Sequence, residues 1–212
     1  MLLLLLCSFI TFWAVNLVGN LFIKTITKTN NLYSFEGFLI GFIFLSVSAS
    51  YLSILFPLKT ISIYVLLIFS CIYLYTNKAL LQQWIKTFQW NKDSYFIVIL
   101  LFFLAACTTI APRIYDSGLY HIQAIKWAEE YGVVKGLGNL HGRLAFNSSI
   151  FNLFAATSMR VVFGQSIYCI NFILFSLFII WLIYKIKFFF KLGNNRFIVL
   201  YLLIAISSFW GK

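Results

Sequence analysis

The chain is short of charge, and above all of acid: Asp and Glu number 5 in 212 residues, against 16 Lys and Arg. Charged residues make up 10% of the sequence, where a soluble domain carries roughly 25% to keep its surface hydrated. That shortage excludes an ordinary soluble fold. Histidine occurs twice and cysteine four times. Cys7, Cys71, Cys107 and Cys169 each stand inside an apolar stretch, with no paired spacing and no histidine beside them. A disulfide framework and a zinc site are thereby excluded, and the thiols read as small packing residues. No P-loop, dinucleotide fingerprint or nucleic-acid motif is present. The net charge of +11 is therefore read as positive-inside anchoring and attraction to anionic lipid, with no nucleic-acid partner.

Apolar residues are abundant instead, at 62% of the chain. They run continuously and do not alternate, which selects helices over the strands of a membrane barrel. In lipid the backbone must satisfy its own hydrogen bonds, and a spanning helix needs about 20 apolar residues. Candidate spans are Met1–Ile23, Gly37–Phe56, Thr60–Tyr75, Ser94–Ala111, Ser166–Ile183 and a final run, Phe197–Trp210. Met1–Ile23 lacks the basic start and small residues of a cleaved signal, so it reads as a retained helix. The stretch Ile150–Phe163 carries Ser149, Asn152 and Arg160 at helical spacing, the pattern of an interfacial or half-inserted helix. The expected fold is an all-α polytopic membrane protein of five or six transmembrane helices. Four occupy 1–111, a polar loop with a juxtamembrane helix fills 112–149, and 150–212 holds the interfacial helix and one or two further spans. The sequence stops at Trp210-Gly211-Lys212, inside an apolar run, as an N-terminal portion of a longer protein would.

Orientation follows from lysine and arginine. With the N-terminus outside, Lys24, Lys28, Lys78, Lys86, Lys92, Lys185, Lys187, Lys191 and Arg196 all fall in cytoplasmic loops. The loop 112–149 then faces the periplasm or the outside of a bacterial inner membrane. The Phe-, Ile-, Lys- and Asn-rich usage fits a bacterial AT-rich genome.

Polar groups are costly beside lipid, so their concentration in one place is the main functional signal. Asp116, Glu129, Glu130, His121 and His141 all lie in that loop. From Ser117 to Tyr131 the pattern is helical, with Gly132 as its stop. Asp116, Tyr120, Gln123, Trp127 and Tyr131 share one face of such a helix. A carboxylate and a row of aromatic rings on one face suit a sugar substrate, while Asp116 suits a helix N-cap equally well. Further on, Gly136, Gly138 and Gly142 let backbone approach a ligand, and Lys135, Asn139, His141 and Arg143 supply donors. That combination suits a phosphate or pyrophosphate, or simply a solvated turn.

An outward Asp-x-x-x-Tyr-His segment followed by a juxtamembrane helix and Gly-Val, here Asp116, Tyr120, His121, Gly132 and Val133, resembles the first external loop of GT-C-type glycosyltransferases. The fuller string from Tyr115 to Ser149 is similar to a family of bacterial membrane proteins associated with surface-polysaccharide loci. The resemblance implies a polytopic enzyme that acts on sugars carried by polyprenyl phosphate. Asp116 would be the catalytic base, and Tyr120, His121, Trp127, Lys135, Asn139, His141 and Arg143 would bind substrate. The partners implied are the bilayer and a lipid-linked sugar. Ser117 stands where many such enzymes place a second acid, so a divalent cation has weak support and no cofactor is expected. The loop also follows a fourth apparent helix instead of the first. A polysaccharide polymerase or ligase, a transporter and a non-catalytic membrane subunit are the competing functions.

Overall fold

A computed structural model describes residues 1–28, 35–59, 68, 71, 75, 78, 92–109, 116–146, 148–193 and 195–210. Among these, regular structure is helical throughout. The principal helices are α1 (Leu2–Thr27), α2 (Phe35–Leu55), α3 (Lys92–Thr108), α4 (Ile122–Tyr131), α5 (Leu137–Leu140), α6 (Ser149–Ala156), α7 (Arg160–Phe163), α8 (Ile170–Lys191) and α9 (Asn195–Trp210). A wide π-helical turn, Ser117–His121, leads into α4.

Three of these, α1, α2 and α8, are long and apolar enough to cross a membrane. At 1.5 Å per residue α8 reaches about 33 Å, against a hydrocarbon core of roughly 30 Å. The protein therefore carries membrane-length helices, and their outward residues (Phe9, Ile43, Ile54) are apolar. The candidate at Thr60–Tyr75 falls almost wholly outside the described residues. The span expected at Ser166–Ile183 begins four residues later, at Ile170, and takes in Lys185, Lys187 and Lys191. Long lysine stems lie along apolar surface while the ammonium reaches water, so a basic stretch does not have to end a helix.

Helices α1 and α2 pack antiparallel through small residues. Gly19 meets the backbone of Gly37 and Gly41, and Gly41 meets the carbonyl of Val15. A methyl at either glycine would overlap main-chain atoms, so glycine is required for this approach. Asn16 and Asn20 are buried in the same seam, where Asn20 donates to the Asn16 carbonyl at 2.9 Å and to its side-chain oxygen at 2.6 Å. Cys7 and Cys169 are buried and unoxidised, and the Cys169 thiol donates to Thr11 at 3.3 Å.

The stretch Ile150–Phe163 is not one helix. It breaks at Thr157–Ser158–Met159, where Met159 takes a positive φ of 53°, and all three residues are buried. Eight residues of α6 rise only about 12 Å, too little to cross. Non-helical backbone survives at such depth only when its groups are satisfied internally. The Ser158 carbonyl accepts from Ile167 N–H at 2.8 Å, and the Thr157 hydroxyl donates to the Leu153 carbonyl. Asn152 ties α6 to Ser50 of α2 at 3.3 Å. Met159, Cys169, Phe172, Leu104 and Val15 form one core, and Leu58, Ile125, Leu153, Phe154 and Ile170 form a second beneath α4.

The packing sorts the helix ends. Leu104 and Ala105 of α3 share a core with Cys169 and Phe172, whereas Phe96 lines a groove with Tyr184, so α3 and α8 run antiparallel. The start of α1 and the loop 116–168 lie at one end. Lys24, Lys92, Lys187 and Lys191 lie at the other.

Candidate functional site

The polar loop folds into two groups. In the outer one, Arg143 Nη1 donates to Asp116 Oδ1 at 2.5 Å across 27 residues of chain. The Arg143 guanidinium lies 5.2 Å from the Tyr120 ring centroid. Tyr120 meets His121 edge-on at 4.2 Å, and His121 leans on Phe151 at 5.2 Å. The backbone N–H of Arg143 donates to His141 Nδ1 at 3.3 Å. Five of the residues expected at a site, Asp116, Tyr120, His121, His141 and Arg143, thus converge. Trp127, two turns further on, instead meets the Tyr131 ring at 5.1 Å, tilted by 42°. Lys135 and Asn139 are exposed beyond Gly132. Among the described residues, no hydrogen bond or ring contact ties these three to the Asp116–Arg143 pair.

Two alternatives carried from the sequence are altered by this geometry. Asp116 makes no side-chain cap hydrogen bond; its carboxylate turns to Arg143 instead. Arg143, expected as a free anion donor, is neutralised by Asp116. The pair is open to water, with side chains 41% and 47% exposed, and exposed pairs contribute only about 0–1 kcal/mol. A competing anion can therefore displace one partner at little cost. A hard divalent cation wants several oxygen ligands. Asp116 faces a guanidinium, and no three His, Cys, Asp or Glu side chains gather among the described residues. The donor set does not fit such an ion.

The inner group is one the sequence reading did not assemble. Glu129 is fully buried, at 0% exposure. Its Oε2 accepts from Ser166 Oγ at 2.8 Å and from Arg160 Nη1 at 3.2 Å. The same Arg160 nitrogen lies 2.8 Å from Glu130 Oε1, and Lys59, just past α2, pairs with the other Glu130 oxygen. Two acids meet two bases, so the charges balance. The hydrogen bond from Lys59, with the charges of Arg160 and Lys59, holds the Glu130 carboxyl below the usual range against an opposing burial effect. Burial, together with the Glu129 charge, pushes the Tyr168 hydroxyl up to about 12. The Tyr168 hydroxyl is buried close to Ser166 and Glu129, and among the described residues neither it nor Glu129 Oε1 makes a hydrogen bond of normal geometry.

This cluster fixes where α4 lies. The helix ends at Gly132 (φ 71°), whose Cα faces the Ser53 and Phe56 carbonyls, and Val133 N–H donates to Ser53 O at 2.7 Å. Glu129 and Glu130, Lys59, Arg160 and Ser166 then join α4, the end of α2, α7 and the entry to α8. The available signal was a pair of consecutive acids in a chain with 5, and a lone arginine in the apolar stretch Ile150–Phe163. Lys59 and Tyr168 gave none.

These features define an all-helical protein with membrane-length helices and a structured polar loop packed on one end of them. The chain belongs to the family described as a domain of unknown function, DUF8201, whose model matches residues 1–211. Neither the curated proteins nor the solved structures gave a match.

Proposed function

We propose that the protein acts on polyprenyl-phosphate-linked sugars in envelope polysaccharide assembly, as a glycosyltransferase-like protein of the bacterial inner membrane. The observation that carries this reading is the convergence of Asp116 and Arg143, from opposite ends of the loop, beside Tyr120, His121 and His141. Phosphate recognition favours a guanidinium, which offers paired donors to its oxygens. A lipid-linked phosphate that engages Arg143 releases the Asp116 carboxylate. Asp116 then accepts the proton of the acceptor hydroxyl as it attacks the sugar carbon, and the carrier phosphate leaves against Arg143 and His141. The base is thus uncovered only when donor is bound. Tyr120 and Trp127 supply stacking faces for sugar rings, and Lys135 and Asn139 edge the loop where the carrier approaches. No cofactor enters the scheme. Helices α3 and α9 also cross in this reading, in keeping with the five or six spans expected from the sequence, and the lysine-rich end faces the cytoplasm.

The test is complementation of a strain lacking the gene, with surface glycan as the readout. General-base catalysis contributes typically 10²–10⁴-fold, so Asp116→Asn at matched membrane level should lose glycan to that degree. Full restoration by Asp116→Asn would remove the carboxylate from the chemistry. A polymerase- or ligase-like reaction, which leans on Arg143 and His141, would then be the remaining reading of the site.

A further inference from the structure

The end of the bundle away from the loop has its own chemistry. Phe96 and Ile97 near the start of α3 face Ile180, Ile183, Tyr184 and Lys187 near the end of α8, across a shallow surface groove. Phe96 is 51% and Tyr184 53% exposed, so the groove opens sideways on the apolar flank. Lys92 stands one helical turn before Phe96, and Lys191 one turn after Lys187, which places both on the edges of the groove's mouth. Both are exposed. Lys185 covers the Trp181 ring at 5.9 Å, and Arg196 opens α9 close by. One acid, Asp93, neighbours these five bases in sequence, and none occurs after Glu130.

We propose that this groove binds one anionic phospholipid. An acyl chain lies against Phe96, Ile97, Ile180 and Ile183, and the headgroup phosphate sits among Lys92, Lys187 and Lys191. The argument is complementarity of two kinds in one feature. An apolar wall that faces the flank of the bundle continues into a cluster of ammonium groups at the helix ends. A soluble anion would use only the cluster, and a neutral lipid only the wall. An anionic lipid uses both, with its phosphate at the level where lysines and the Tyr184 ring meet water. The site shares no residue with the polar loop, so it stands or falls separately from glycosyl transfer.

Native mass spectrometry of the full chain released from detergent tests it, with phosphatidylglycerol and phosphatidylcholine of identical chains as probes. One phosphatidylglycerol should be retained in preference to phosphatidylcholine. Lys92→Gln with Lys191→Gln should weaken phosphatidylglycerol roughly thirtyfold, at about 1 kcal/mol per lysine near a headgroup, and leave phosphatidylcholine unchanged. Ile183→Trp, which fills the groove and keeps every charge, should reduce retention of phosphatidylglycerol as well. Equal retention of the two lipids overturns the site, as does a preference that survives the double lysine variant. So does a matching loss from Lys126→Gln, an exposed lysine at the opposite end.

Discussion

Replacing Arg160 with methionine removes the cation that joins Glu129 to Glu130 while keeping an unbranched apolar stem of similar reach. Glu129 is fully buried and would keep the Ser166 hydroxyl but no cation among the described residues. Removing one partner of a buried pair costs about 3–5 kcal/mol, because the survivor is left charged and dry. Arg160 itself is 36% exposed, so water already screens part of the interaction and about 2–3 kcal/mol is the expected loss. For a chain of this size 1 kcal/mol moves Tm by about 2–4 °C. The variant should therefore melt roughly 4–12 °C lower, followed by tryptophan fluorescence in detergent. The cause is isolated by the double variant Glu129→Gln/Arg160→Met. It leaves no buried charge at this point, keeps Glu130 with Lys59, and should recover about 1–2 kcal/mol of the loss. Arg196→Met, at the exposed start of α9, is the control for removal of a surface arginine. If Arg160→Met melts with that control, or if the double variant loses the sum of the two single effects, the cluster does not hold the loop to the helices.

Gly132→Ala should destabilise by about 1–3 kcal/mol, since Gly132 occupies a backbone region reserved for glycine and a methyl would meet the Ser53 and Phe56 carbonyls; amide exchange should show Val133 losing protection. The Glu130 carboxyl is held below its ordinary value in the folded state, so its contribution is present above the ordinary carboxylate range and is lost as pH falls through the lowered value. Acid titration of Tm should accordingly be flatter for Glu130→Gln than for wild type; identical slopes would show that the Lys59 and Arg160 contacts do not favour the charged form. With the four native thiols replaced, a single cysteine at Lys135 should react with an impermeant reagent in intact cells, and one at Lys187 only after the membrane is opened. Labelling of both from one side would reverse the orientation given to the loop.

Much of the scaffold was legible because lipid imposes a simple requirement. The runs beginning at Leu2, Phe35 and Ile170 had to be helices to satisfy their backbone, and Gly132 had to end one. Boundaries were less legible where lysine is ambiguous, as at Lys185–Lys191, which continues a helix that charge alone would have ended. The break at Met159 has no glycine or proline to announce it; it exists because Ile167 and Leu153 supply the hydrogen bonds that helix continuation would have provided. The outer group was readable since Asp116, Tyr120 and His121 are neighbours in one helical segment and Arg143 follows in the same loop. The inner group was not. Lys59, the Glu129–Glu130 pair and the Arg160–Ser166 segment are far apart in sequence, and tertiary packing alone decides which acid is buried.

The closest approach of α1 to α2 is main chain on main chain, at Gly19, Gly37 and Gly41. Such a joint has no rotamers to exchange. It cannot absorb sliding by repacking, as a seam of leucines can, and so the two helices travel as a single body. The far end of α2 grips Val133 through the Ser53 carbonyl. Any tilt of that body is therefore delivered to the foot of α4.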